Sequence, residues 1–109
     1  MPKIRCNDVE LYYEIKGKGP PLLLINGLGS DMRLWGPLTD QLESSFTVIA
    51  FDNRGMGKSE RPEGPYTISQ MVEDTYALIG ELSKERVHVL GFSMGGCIAM
   101  QLALENPRT

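Results

Sequence analysis

The sequence predicts an α/β fold, a largely parallel sheet with helices on both faces. Hydrophobic periodicity switches along the chain between two and about 3.6, as it does where strands alternate with helices. Pro21-Leu-Leu-Leu-Ile-Asn26 is a continuous apolar run, which is what a strand covered on both faces requires. A glycine-flanked serine, Ser93, lies between the last strand-like and the last helix-like segment.

The first element reads as a hairpin. Val9, Leu11, Tyr13 and Ile15 alternate with Glu10, Tyr12, Glu14 and Lys16. This pattern predicts a half-exposed strand, paired through the Asn7-Asp8 turn with Ile4 to Cys6. Gly17 to Pro20 breaks the chain, and the apolar strand from Pro21 should then be central. Pro37 suits a first helical turn, with Leu38 and Leu42 on one face. Phe46 to Phe51 returns to strand character, completing one βαβ unit.

The second helix has the clearest start in the chain. Thr67 and Gln70 form a capping box, with Tyr66 and Met71 placed as a hydrophobic staple. Ile68, Met71, Val72, Ile79 and Leu82 fall on its buried face. Val87 to Leu90 follows as a short strand. Met94 to Glu105 is then a helix, apolar nearly all round until Asn106-Pro107 stops it, and it expects burial on several sides. Three βαβ-type crossovers after a hairpin imply the mostly parallel sheet.

Composition narrows the function classes. A chain of 109 residues fits one small domain. The formal net charge of −3, with eleven scattered Lys and Arg, disfavours a nucleic-acid partner. No stretch approaches the roughly 18 apolar residues of a membrane span, and the start has no signal-peptide core, so a cytoplasmic protein without a membrane partner is expected. Cys6 and Cys97 match neither a zinc nor a redox spacing, and free buried thiols are expected, with no metal and no cofactor.

Gly91-Phe92-Ser93-Met94-Gly95, followed by Gly96, is Gly-x-Ser-x-Gly in a strand-turn-helix setting. Nucleophilic catalysis needs the serine on a turn so tight that its hydroxyl stands clear of the backbone. Side chains at Gly91 and Gly95 would collide with the neighbouring strand and helix. The helix that begins there aims its N–H groups and positive dipole end at a developing oxyanion. A plain connecting Gly-Ser turn would match by chance in roughly 3% of chains this long. The position between a buried strand and a buried helix favours the catalytic reading.

Asn26-Gly27-Leu28-Gly29 ends the apolar strand, where a loop should supply the second oxyanion donor. On this reading the amides of Leu28 and Met94 face the carbonyl oxygen under attack. A simple strand-ending turn is the competing reading, and the proximity of Ser93 favours the first. Gly57-Lys58-Ser59 invites a phosphate-loop reading that fails on spacing, because Asp52 stands where such a loop needs glycine and Pro62 follows where it needs a helix. Asp52 and Arg54 read instead as scaffold that satisfies loop backbone near the site.

Taken together, Asn26-Gly-Leu-Gly29-Ser-Asp31, Trp35, Asp52-x-Arg54-Gly55-x-Gly57-x-Ser59, Gly64-Pro-Tyr-Thr-Ile68 and Gly91-Phe-Ser93-Met-Gly-Gly96 resemble the α/β-hydrolase family. Within it the pattern is most similar to 3-oxoadipate enol-lactonases: Asn26-Gly27, where many relatives have His-Gly, together with the Asp31 to Trp35 spacing resembles theirs. The resemblance spans residues 20 to 107. It implies the N-terminal part of an α/β-hydrolase sheet, an opening hairpin and then parallel βαβ units, cut short after the nucleophile helix. Residues 1–109 would then be one partial domain lacking the lid, the catalytic acid and the catalytic histidine.

The implied function is hydrolysis of a small-molecule carboxylic ester or lactone. Ser93 is the nucleophile, the Leu28 and Met94 amides form the oxyanion hole, and Asn26, Gly27, Gly29, Gly91 and Gly95 are the supporting loops. Esterases, perhydrolases and carbon-carbon bond hydrolases share most of these residues. A non-catalytic sensor or interaction module on the same fold is the alternative of a different class. The family's chain order puts the acid and histidine after the nucleophile. The sole histidine, His88, lies about 16 Å upstream of Ser93 along a strand, too far for a general base. Without further strands the sheet edge and last helix should show apolar surface, leaving the chain on its own marginally stable, self-associating through that edge, or completed by a further segment.

Overall fold

The computed structural model describes residues 3–27, 35–62, 64, 66–83 and 86–106. Five strands, β1 (Lys3–Cys6), β2 (Val9–Gly17), β3 (Pro21–Ile25), β4 (Thr47–Phe51) and β5 (His88–Gly91), form one sheet in the order β1-β2-β4-β3-β5. The helices are α1 (Gly36–Leu42), α2 (Ile68–Leu82) and α3 (Met94–Glu105). β1 and β2 make the expected hairpin, with Asn7 at φ 59° in its turn, a left-handed conformation that asparagine tolerates.

β3 is parallel to both β4 and β5, whereas β2 is antiparallel to β4. The sheet is therefore mixed, and two βαβ crossovers join its parallel strands rather than three, because no described strand follows α3. β5 begins at His88, one residue later than expected.

The period-two pattern of β3 divides the core. Leu23 and Ile25 join Ile49, Phe51, Met71, Val72, Leu78, Ile98 and Leu102 beneath α2 and α3. Leu22 and Leu24 join Val48 and Trp35 beneath α1, with Leu38 and Leu42 against them. Successive side chains of a strand point to opposite faces, so one apolar run serves both layers.

The capping box of α2 forms as expected: the Gln70 amide donates to Thr67 Oγ1, and the Thr67 amide donates to Gln70 Oε1. Tyr66 packs on the cluster that holds Met71, as a staple requires. Ile68, placed on the buried face by periodicity, is exposed. It occupies the first helical position, where a side chain leans back over the incoming chain instead of reaching the core. Tyr12, expected on the open face of the hairpin, is buried. The Asp52–Ser59 loop covers it: the Tyr12 amide donates to Ser59 Oγ, the Asp52 amide donates to the Tyr12 carbonyl, and the Lys58 ammonium lies 4.9 Å from the ring centroid.

α3 buries Ile98 and Leu102 but leaves Met100 65% and Leu104 77% exposed, so burial on several sides is not reached among the described residues. Leu90 on β5 and Phe92 just after it are also exposed. No described strand pairs with the outer edge of β5. Among the described residues no helix is long and apolar enough to cross a membrane.

Both cysteines are free, but only Cys6 is buried, and Cys97 lies exposed on α3. The expectation of two buried thiols is thus half corrected, since Cys97 occupies the helix face left uncovered. Burial, with Asp74 and Glu81 nearby, pushes the Cys6 thiol up to about 11. Ellman titration of the native protein should therefore modify Cys97 quickly and Cys6 only after unfolding, since the thiolate is the reacting species. Loss of the fast phase in Cys6→Ala would contradict this assignment.

Candidate active site

Three strand ends meet on the carboxyl side of the sheet. β5 runs into Phe92 and Ser93, β3 into Asn26 and Gly27, and β4 into Asp52 and Asn53. Ser93 has φ 56° and ψ −118°, one of two non-glycine residues with positive φ among those described. A residue with a Cβ is held in such a region at a cost of about 1–3 kcal/mol, and such strain clusters at functional sites. The surroundings over-determine it. The Phe92 amide donates to the Ile25 carbonyl at 3.0 Å, and the Gly95 amide donates back to the Phe92 carbonyl at 2.8 Å.

The glycines fit for the reason expected from the motif. A Cβ on Gly91 would run into the Gly95 carbonyl and lie 2.6 Å from the Gly96 nitrogen. A Cβ on Gly95 would run into the Ile25 carbonyl and lie 2.7 Å from that of Asn26. On Gly27 it would lie 3.1 Å from Ser93 Cβ. The turn at residue 93 is thus pressed against the end of β3 with only glycines between.

Ser93 is exposed, and although it is the N-cap residue of α3 its side chain makes no capping bond. Its hydroxyl is therefore not consumed by the helix. Gly95, Gly96 and Cys97 donate to the Phe92 and Ser93 carbonyls. Met94, the first helical residue, keeps an N–H without an intrahelical acceptor, at the positive end of the helix dipole. The arrangement offers a nucleophile and an anion-stabilising amide on adjacent residues.

The structure thus brings together Ser93, Met94, Gly91, Gly95, Asn26 and Gly27. Leu28, expected as the second oxyanion donor, and Gly29 and Asp31 lie outside the described residues. His88 is exposed at the start of β5, its ring edge-on to Phe46 with centroids 6.0 Å apart. Among the described residues no group of three or more His, Cys, Asp or Glu could hold a metal ion.

Asp52 accepts from the Lys58 amide at 2.9 Å, satisfying loop backbone as expected. Arg54 does something else. It is 4% exposed and donates to both carboxylate oxygens of Asp74 on α2, at 2.7 and 2.8 Å, and to Asp8 at 2.8 Å. A guanidinium matches a carboxylate in this two-bond geometry better than it matches single carbonyls. The two Asp74 bonds, and the one to Asp8, raise Arg54 above its ordinary range despite burial. Arg54 also holds the Asp8 carboxyl below its ordinary value. Asp74 went unread in the sequence. The available signal was an acidic residue on the apolar face of a helix.

Comparison with known proteins agrees with this geometry. The family described as alpha/beta hydrolase fold matches residues 20–108. A relative from Azorhizobium caulinodans, provisionally named carbamate hydrolase RutD, is 39% identical over 98% of this chain and 40% of its own length. 3-Oxoadipate enol-lactonase 2 of Acinetobacter baylyi is 34% identical over 95% of this chain and 40% of its own. The crystal structure of the enol-lactonase from Burkholderia xenovorans LB400 superposes with a TM-score of 0.94 at 38% identity, covering 98% of this chain and 43% of that one. The chain thus spans about 40% of the length of the curated relatives it matches.

Proposed function

This chain belongs to the α/β-hydrolase fold family, and on that premise we propose that it carries the nucleophile of a serine hydrolase acting on a carboxylic ester or lactone, similar to 3-oxoadipate enol-lactonase. The observation that carries this reading is the positive φ of Ser93, seated on the end of β3 at the N-terminus of α3. Ser93 Oγ attacks the substrate carbonyl carbon as a base takes its proton. The negative oxygen so formed is held by the Met94 amide, with Leu28 as the proposed second donor. Collapse expels the alcohol, which takes the proton back, and water then frees the acyl group from Ser93 by the same steps. The base and its orienting acid come from the rest of the whole protein, which also covers the apolar surface at Leu90, Phe92, Met100 and Leu104. The free cysteines fit a reducing, cytoplasmic setting. The relative named as a carbamate hydrolase favours a second substrate class, a carbamate attacked by the same serine.

A fluorophosphonate probe tests the reading on the whole protein. The expected result is stoichiometric labelling that disappears in Ser93→Ala, with esterase turnover falling by about 10⁴-fold or more. A folded protein that takes no label would instead favour a non-catalytic module on this fold.

A further inference from the structure

We infer that Asn26, held by Trp35 and Asn53, is a positioning residue for Ser93; this deepens the hydrolase reading and rests on it. Asn26 is fully buried, and a buried amide is costly unless both its ends are bonded. Here both are: Nδ2 donates to the Phe51 carbonyl at the end of β4 at 2.8 Å, and Oδ1 accepts from the Trp35 indole N–H at the entrance to α1. The Asn26 carbonyl in turn accepts from Asn53 Nδ2 at 3.4 Å. One side chain therefore joins the ends of β3 and β4 to the entrance of α1.

The Ser93 turn rests on that same stretch of backbone. Phe92 donates to the Ile25 carbonyl, Gly95 abuts the Ile25 and Asn26 carbonyls, and Gly27 faces Ser93 Cβ. The contacts to the Ile25 and Asn26 carbonyls are backbone against backbone, and at Gly27 a glycine faces the nucleophile's own Cβ, so no long side chain lies between the strand end and the reacting group. A shift of Asn26 is thus passed directly to the nucleophile. An asparagine that merely stapled β3 to β4 would affect stability but leave the position of the reacting oxygen unchanged.

The test uses the whole protein, with 4-nitrophenyl acetate as substrate. Trp35→Phe keeps an aromatic ring against Leu22, Leu24 and Val48 and removes only the indole donor. The expected result is a kcat lower by about tenfold with KM within about twofold, as misplacement of a reacting group predicts. Asn26→Leu should lower kcat at least as far, and adding Trp35→Phe to it should cost nothing more, because both act through one bond. A folded Trp35→Phe with wild-type kcat would overturn the inference, as would fully additive losses in the double variant. Should Asn26→Leu fail to fold, Trp35→Phe alone decides. Absence of turnover in the wild-type protein would sink the hydrolase reading itself, whereas turnover that ignores Trp35→Phe sinks only the positioning role.

Discussion

Asp74→Ala should destabilise the protein by about 3–5 kcal/mol, the cost of leaving a buried charge without its partner. The charge is Arg54, which among the described residues would keep only Asp8, whose side chain is 73% exposed. A solvated carboxylate at the rim replaces little of what a buried, two-bond partner supplies. The loss should show as a lower urea midpoint with an unchanged slope. Asp8→Asn should move the midpoint much less at neutral pH. Because Arg54 holds the Asp8 carboxyl below its ordinary value of 3.8, its contribution is present above that pH and is lost as pH falls below it. Asp8→Asn should therefore flatten the acid side of the stability profile. A midpoint for Asp74→Ala equal to that of wild type would mean that Arg54 finds another partner.

Gly95→Ala should damage the site more than the fold. Its Cβ would enter the Ile25 carbonyl, and that oxygen already accepts from Phe92, so the strand end cannot yield without moving the Ser93 turn. Forcing atoms into such a contact costs about 1–3 kcal/mol, and moving the turn by about 1 Å should slow fluorophosphonate labelling about a hundredfold. Gly96→Ala supplies the control. A Cβ there meets nothing nearer than the Gly91 carbonyl at 3.7 Å, and alanine inside a helix is favoured over glycine by up to about 1 kcal/mol. Equal labelling rates for the two variants would show that steric exclusion at Gly95 does not hold the turn.

The features legible in the sequence were the local ones. The α2 capping box depends on Thr67 and Gln70 alone, and the tight turn at Ser93 on glycines within two residues of it, so short-range chemistry specified both. Tyr12 was misread because what buries it is a loop some 40 residues away in the chain, which alternation within β2 cannot report. Arg54 and Asp74 lie 20 residues apart, and each alone looks like an ordinary charged residue. Asn26 was assigned to the site by its place in the motif. Its tie to Trp35 was not foreseen, because nothing local indicates that an indole N–H will return across nine residues to meet it. The apolar character of α3 was read correctly, but Met100 and Leu104 have no described partner to cover them.

Peptide mapping of the acyl-enzyme formed during a burst with 4-nitrophenyl acetate measures most directly whether Ser93 is the reacting group. The whole protein should release about one equivalent of nitrophenol before steady turnover, with the acyl group on the peptide that contains Ser93 and absent in Ser93→Ala. An acyl group found on Cys97, the exposed thiol one helical turn away, or no burst from a folded protein, would contradict the account.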